Sequence, residues 1–579
     1  MGRTPADLVI KNGRWVVVQS GEILPGSDVA IRRERVAFVG ENADHTIGKQ
    51  TRVIDARGKY LCPGLLDAHV HVESSMLTVT EFVRAVVPHG TTGVFIDPHE
   101  IANVFGLSGV RLMVEEAGRQ PVHVFVQMPS CVPSAPGLET SGGSISPEDV
   151  AEAMTWNGII GLGEMMNYPG VCNGAEQVHA EMAATRMARK VIGGHYPSPD
   201  LGLPFHGYVA GGPTDDHEGT RMEDAVSRVR QGMYVMMRYG SAWHDVAEQV
   251  RAVTEMNLEA RHFLLCTDDA HCETFVHEGH MDRVVRHAMS QALNPLTAIQ
   301  MATLNTAEYF GVARDIGCIA PGRYADILIV RDLRDFYPDI VLAKGSVVAE
   351  NGSMIVEKPE SVYPAWVLNS VHLKKSLSAE DFTLRTAHEG SVIANVIGVV
   401  ENQAPTRHLH VEVTLQNDEI KPDMRRDLAK LALVERHRGT GEIQIGLVQG
   451  FGFTQPCGIA TTVAHDSHQM IVVGTSENDM ALAANSLATT GGGQAVFLNG
   501  ERIGFVPLPI GGLMSNEPAE VVSAQAKSVL EGFRKCGCTL NNPNMQLSLL
   551  ALVVIPNLRI SDKGLVDVNQ FRVIPIIER

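Results

Sequence analysis

The sequence predicts an α/β chain in which a distorted (β/α)8 barrel of the TIM type is inserted into a composite β-sandwich and followed by an α+β domain. Three observations carry that reading. Short β-rich runs over residues 6–61 return over residues 317–352. Between them strand-like and helix-like segments alternate for about 250 residues, the size at which eight parallel strands close into a barrel. From about Val362 the texture changes again, with linker-like sequence around Pro364.

In the first part, Leu8-Val-Ile10, Trp15-Val-Val-Val18, Val36-Ala-Phe-Val39 and Val53-Ile54 are apolar runs separated by Gly and Asn turn signals. The same pattern returns in Ile327-Leu-Ile-Val330, Ile340-Val-Leu342 and Val347-Val-Ala-Glu-Asn-Gly352. The two runs form either one sandwich whose ends meet across the insertion or two separate β modules. The expected boundaries are 1–62 and 315–361 for the two sandwich parts, 63–314 for the barrel and 362–579 for the last domain.

Eight candidate strands fill the barrel segment: Gly64–Leu66 running into His71, Gly93–Ile96, His123–Val126, Gly158–Leu162, Arg189–Ile192, Tyr208–Ala210, Tyr234–Met237 and His262–Cys266. Several carry ionisable residues just past the apolar run: His69 and His71, Asp97 and His99, Glu164, His195, His217 and Glu218, Arg238, and Asp268 and Asp269. For one strand a polar loop is explanation enough. For so many, the C-terminal strand ends of a barrel, where active sites are built, explain the pattern better. In the last domain Ile393–Val400 and Gln444–Val448 read as strands, Met480–Leu487 as a helix, and Gly491-Gly-Gly493 as a turn before Ala495–Leu498. The polar stretch Thr461-Thr-Val-Ala-His465-Asp-Ser-His468 precedes the strand Met470–Val473 and is either a turn or a contribution to the active site.

Composition narrows the class. The chain has 579 residues, 44% of them hydrophobic, and a net charge of -18. That charge argues against nucleic acid or an anionic membrane as partner, since either attracts a basic face. Nine scattered cysteines without a Cys-X-X-Cys pair do not suggest a disulfide framework or a structural zinc site. No apolar run is long enough to span a bilayer and no secretory leader stands out, so a cytoplasmic location is the expectation.

The chemistry begins with His69 and His71, which share one face of an extended strand and can grip one metal ion. With His195, His217 and Asp268, and Glu164 as a bridge, the donors suffice for two divalent transition metal ions sharing a carboxylate and a hydroxide. Two close cations lower the pKa of bound water, and Asp268 is placed to take its proton and pass it to a leaving group.

The segments Pro63-Gly-Leu-Leu-Asp67-Ala-His69-Val-His71-Val-Glu73-Ser-Ser-Met76, Asp97-Pro-His99-Glu100-Ile-Ala-Asn103 and Gly163-Glu164-Met-Met-Asn-Tyr-Pro-Gly170 resemble the bacterial adenine deaminases of the amidohydrolase superfamily. So do Asp216-His217-Glu218, Cys266-Thr-Asp268-Asp269, Glu278-Gly-His280, His465-Asp466-Ser467-His468 and Pro507-Leu-Pro-Ile-Gly-Gly-Leu-Met514, so the likeness spans nearly the whole chain. The resemblance implies hydrolysis of adenine to hypoxanthine and ammonia, with a metal-activated hydroxide attacking C6. It implies that His69, His71 and Asp268 hold one ion, that His195 and His217 hold the second, and that Glu164 bridges. Iron(II) or manganese(II) are the implied metals, and zinc(II) suits the same ligands. Asp97 and His99 are further candidates, as ligands or as residues behind them. Glu218 is implied to protonate a ring nitrogen, which requires a raised pKa. Asp269 is implied to bond another purine nitrogen. Arg238, Ser241, Tyr239, His465 and His468 complete the expected substrate contacts.

The chain departs from the family pattern at three places near the expected pocket. Gly193-Gly-His195 stands where Asp-Gly-His is usual, Tyr239 where Glu is usual, and Ala270-His271-Cys272 where Arg and a nearby Pro are common. These changes spare the metal ligands and open the substrate question to an N6-substituted adenine, another aminated purine or a different cyclic amide. A purine sensor on an inherited barrel is the non-enzymatic alternative, disfavoured because no ligand position is lost. The expected partner is a small purine base, and the expected assembly a homo-oligomer, dimeric or higher.

Overall fold

The computed structural model describes every residue except Met1, Ala242, Glu389 and Arg579. Its two β-rich segments meet in one nine-stranded sheet. The junction is the antiparallel pair Tyr60–Pro63 and Ile327–Val330, in which Pro63 faces Ile327 and Tyr60 faces Val330. The sheet continues on one side through Leu8–Val17 to Glu22–Arg32 and Arg35–Gly40, and on the other through Pro338–Ala343 to Ser346–Glu350. Leu8, Ile10, Leu61, Ile327, Ile329 and Leu342 form its buried core. The apolar runs on both sides of the insertion therefore serve one core.

The inserted barrel has eight short parallel strands: β1 (Leu65–Val70), β2 (Thr91–Ile96), β3 (His123–Met128), β4 (Ile159–Met165), β5 (Val191–Gly194), β6 (Asp215–Asp216), β7 (Tyr234–Arg238) and β8 (Phe263–Cys266). They form two arcs, β1–β5 and β6–β8. Two seams close the ring. At the first, Asp268 bridges Val70, and its N–H donates to the His69 carbonyl at 2.9 Å. The buried Asp67 carboxylate pins this seam by accepting from the Thr267 N–H at 3.0 Å and the Thr267 hydroxyl at 2.6 Å. At the second, the Thr214 N–H donates to the Ile192 carbonyl and the Gly194 N–H to Asp215 Oδ1, each at 2.9 Å. Gly194 is required here, because a Cβ would lie 1.9 Å from the Asp215 carbonyl oxygen. Leu66, Phe95, Phe125, Ile160, Val191, Met236 and Leu264, one from each of seven strands, converge in one cluster that must be the barrel interior. Phe310 stacks on Phe95 at 3.7 Å between ring centroids and closes the base.

One strand differs from expectation. Tyr208–Ala210 lies in the helix Leu203–Gly211, and the sixth strand is the dipeptide Asp215–Asp216. An apolar run of three residues does not distinguish strand from helix, and Pro204 suits a helical first turn. The acidic pair is a strand because its side chains bind main chain: Asp215 holds Gly194, and Asp216 Oδ2 accepts from the Tyr196 N–H at 3.0 Å.

After residue 384 an eight-stranded sheet runs in the order Arg407–Thr414, Ser391–Gly398, Ile443–Gln449, Ala429–Val434, Met470–Gly474, Cys457–Thr461, Gly493–Leu498 and Glu501–Pro507. The helices Glu477–Thr490 and Ala519–Lys535 pack against it. This part is fastened to the barrel mouth. The Ser515 N–H donates to the Met76 carbonyl at 2.8 Å, Asp562 accepts from the Thr140 N–H at 2.7 Å, and Gln469 donates to the Thr140 carbonyl at 2.9 Å. The turn at residues 464–468 is thereby held over the strand ends. Among the described residues no helix is long and apolar enough to cross a membrane.

Candidate metal centre and active site

His69 and His71 leave the end of β1, where the ladder to β2 slips between Asp67 and Val70. Such a bulge re-aims side chains. The two Nε2 atoms come within 3.2 Å of each other. His71 Nδ1 lies 2.9 Å from the Asp97 carbonyl, which can only accept, so Nδ1 carries a proton and Nε2 is the nitrogen turned toward Asp268 and Glu164. Asp268 Oδ1 stands 3.7 Å from His69 Nε2 and 3.2 Å from His71 Nε2. Asp268 has φ +58°, a left-handed conformation that a non-glycine residue keeps only where its surroundings enforce it. The bridge to Val70 and the bond to His69 do so here.

Glu164, at the end of β4, sits among the imidazoles. Oε2 is 2.6 Å from His195 Nδ1 and 3.1 Å from His217 Nε2, while Oε1 is 3.6 Å from His71 Nε2 and 3.2 Å from His99 Nδ1. The Asp97 Oδ2 atom accepts the Glu164 N–H at 2.8 Å, and Gly163 makes room for it, since a Cβ there would lie 2.2 Å from the same oxygen. Asp97 thus positions Glu164 from behind. His99 faces the cluster directly. His195 is set by Tyr208, whose buried hydroxyl accepts the His195 N–H at 2.7 Å and donates to the Met165 carbonyl at 3.0 Å. The helix that displaced the expected strand therefore anchors a candidate ligand.

Charge follows from this crowding. Burial alone would raise the Glu164 carboxyl, but His195, His217 and His71 hold it well below the usual range. Burial likewise opposes ionisation of Asp268, and His71, His217 and Arg238 hold it far below. Burial pushes Asp97 up to about 7, with the Glu164 charge adding to it. Glu218 departs from expectation. Burial would raise it, yet Arg238, His195 and His217 outweigh burial and lower it, so it is a carboxylate before substrate arrives. Arg238 Nη1 contacts Glu218 and lies 3.1 Å from Asp268 Oδ2, while Nε donates to Asp245 at 2.8 Å.

The other expected substrate residues divide. Asp269 Oδ1 is 2.5 Å from the Ser74 hydroxyl. Ser241 instead accepts the His271 N–H at 2.8 Å and pairs with Thr274 at 2.7 Å. The Tyr239 ring stacks on His287 at 3.7 Å and lies under the Arg283 guanidinium at 4.0 Å. His465 and His468 are buried, and their donor atoms gather with Glu100 within 4.8 Å of one another. Sequence reasoning gave no role to Tyr208, Ser74 or Glu100. Glu100 follows directly on the singled-out His99, and only its burial marks it.

Neutral imidazoles and carboxylates fit a divalent transition metal. The sets His69, His71 and Asp268, and His69, Glu164 and His217, each bring their donor atoms within 4.8 Å. Buried Asp97 Oδ1 and His99 Nδ1 have no hydrogen-bond partner. A barrel with such donors at its strand ends defines a metal-dependent hydrolase of the amidohydrolase type, and residues 60–348 match the Amidohydrolase family. Residues 403–572 match the Adenine deaminase C-terminal domain. The chain belongs to the adenine deaminase family. It is 59% identical to an adenine deaminase of Mesorhizobium japonicum over 99% of this chain and 95% of that protein. It is 56% identical to adenine deaminase 3 of Rhizobium meliloti over 100% of this chain and 97% of that one. A beta-aspartyl dipeptidase structure from Fervidobacterium islandicum is 16% identical, with a TM-score of 0.48, over 62% of this chain and all of that one.

Proposed function

We propose that this chain hydrolyses adenine to hypoxanthine and ammonia with two divalent cations, iron(II) or manganese(II), one held by His69, His71 and Asp268, the other by His195 and His217, with Glu164 between them. The observation that carries the reading is the intact donor set in a chain related end to end to proteins named adenine deaminase. When bound, the cations supply Lewis acidity and lower the pKa of water.

The chain's own groups manage the protons. As water adds to C6, Glu218, anionic beside Arg238, takes one of its protons and passes it to the ring nitrogen N1. Asp268 takes the remaining hydroxyl proton and gives it to the departing amino group, leaving a C6 carbonyl and ammonia. Arg238 orients both carboxylates. Asp269, braced by Ser74, is set to accept a hydrogen bond from a purine N–H. Tyr239 and Ser241 spend their contacts on His287, His271 and Thr274 rather than on the candidate metal donors, which weakens the case that the Tyr239 departure retunes the substrate.

The test is ammonia release from adenine, N6-methyladenine and guanine by protein reconstituted separately with Fe(II), Mn(II) and Zn(II). Adenine is expected to turn over fastest. Turnover of another base with none for adenine, whatever the metal, would refute the proposal.

A further inference from the structure

We propose that the buried pair Arg228 and Asp216 positions Glu218, the group to which the adenine reading assigns proton transfer to N1, and that Arg228 acts on the reaction through Glu218 alone. The inference rests on that reading. Arg238 grips the Glu218 carboxylate, but it does not fix the main chain from which that side chain projects. Asp216 does. Its Oδ1 accepts the Glu218 N–H at 2.6 Å, and its Oδ2 accepts the Tyr196 N–H at 3.0 Å. One carboxylate at the end of β6 thereby ties the residue after His217 to the residue after His195.

A carboxylate so enclosed needs a countercharge, because an unpaired buried ion is strongly destabilising. Asp216 is 0% exposed and Arg228, which supplies that charge, 1%. Arg228 stands on the helix Met222–Arg230, and its Nη2 donates to Asp216 Oδ2 at 3.2 Å and to the Tyr196 carbonyl at 2.9 Å. Its Nη1 donates to the Asp224 carbonyl at 3.2 Å, which fixes the guanidinium against its own helix. Tyr196 is therefore held at both its N–H and its carbonyl. The chain beyond Glu218 runs against the same guanidinium, since a Cβ on Gly219 would lie 3.5 Å from Arg228 Cζ. On its other side Arg228 Cζ lies 5.6 Å from the centre of the Phe205 ring, on the helix that carries Tyr208.

A buried ion pair adds little net stability over apolar residues of the same volume. What apolar residues could not supply here is aim. An Asp side chain that accepts the N–H two residues on sets the direction of the following backbone, and that backbone presents Glu218 to Arg238. Glu218 has to reach a water proton first and N1 second, and about 1 Å of misplacement in such a group costs about 100-fold in rate. The candidate metal donors have other supports, Tyr208 at the His195 N–H and Asp97 at the Glu164 N–H. Loss of Arg228 should therefore be felt in the proton transfer before it is felt in the metals.

The experiment measures kcat and KM for adenine, together with manganese content, for Arg228→Met, Arg228→Lys and Asp216→Asn, each alone and combined with Glu218→Gln, in Mn(II)-loaded protein. Arg228→Met should lower kcat about 10–100-fold, with KM within about threefold of the wild type and two ions retained. Arg228→Lys keeps the charge and should recover most of that loss. In the Glu218→Gln background no carboxylate is left to aim, so Arg228→Met should cost no more than about threefold further. Asp216→Asn keeps the shape and should behave as Arg228→Met does, and it carries the same test if Arg228→Met fails to fold. An equal loss in both backgrounds, an Arg228→Met enzyme as fast as the wild type, or a fall in kcat matched by a lost ion would overturn the positioning role and leave adenine deamination standing. Glu218→Gln as active as the wild type would remove the proton transfer assigned to Glu218, and this inference with it. A wild type inert toward adenine with every metal would remove the adenine reading itself.

Discussion

Replacing Tyr208 by Phe tests the link between an unforeseen helix and the candidate centre. The hydroxyl accepts the His195 N–H and donates to the Met165 carbonyl, and the residue is fully buried. Phenylalanine keeps the ring volume, so no cavity cost enters. Two main-chain groups lose their partner, at about 1–3 kcal/mol each, or about 2–6 kcal/mol in all. The freed His195 main chain loosens its imidazole, and loss of such support behind a ligand typically costs about 10–100-fold in metal affinity. Chelator competition on Mn(II)-loaded protein should therefore show one ion weakened and the ion at His69 and His71 nearly unchanged, with a lower melting temperature. Two ions of unaltered affinity and an unaltered melting temperature would refute the anchoring role.

Glu164→Gln keeps size but removes the charge that faces His195, His217 and His71, so one ion rather than two should survive desalting, with affinity for the pair falling by at least about 100-fold. Atomic absorption and ammonia release read this together. In the metal-free protein, burial would lower His195, but Glu218 and Glu164 outweigh it and push the imidazole up to about 9. A raised histidine contributes stability that is complete below the unfolded value near ~6.5 and is lost as pH climbs through about 9, up to about 3 kcal/mol. Denaturant midpoints of the apo-protein should fall across that window. Metal affinity should rise over it, because the ion displaces a proton.

Seven barrel strands were legible because each is an apolar run long enough to be seen, and six of them end in ionisable residues. The sixth was not, because Asp215 and Asp216 look like a loop until Gly194 and Tyr196 are found on their carboxylates. The candidate metal donors stood out by type and position, and the structure brings their atoms together. Ionisation was not legible: Glu218 was expected to be raised, and its pairing with Arg238, twenty residues away, reverses the sign. Tyr239 illustrates the converse. Its neighbours His287 and Arg283 lie on the later helix Met281–Ser290, and nothing at position 239 itself announces that they take its ring. The role of the 465–468 turn stayed open between two readings, and only its contacts with residues near 100 and 140 decide that it faces the barrel.

The Arg436 clasp bears on the order in which the chain becomes competent. It gathers carbonyls from residues 370, 468 and 511, and so fastens the turn in which His468 lies 3.8 Å from Glu100, a residue made far earlier. Synthesis runs from the N-terminus and domains generally fold as they emerge. On that order the donors at the barrel strand ends are made well before the turn that packs over them. Contacts so distant in sequence form slowly. The turn over the strand ends is the last part of the site to be fixed, because Gly511 must be made before the clasp can close.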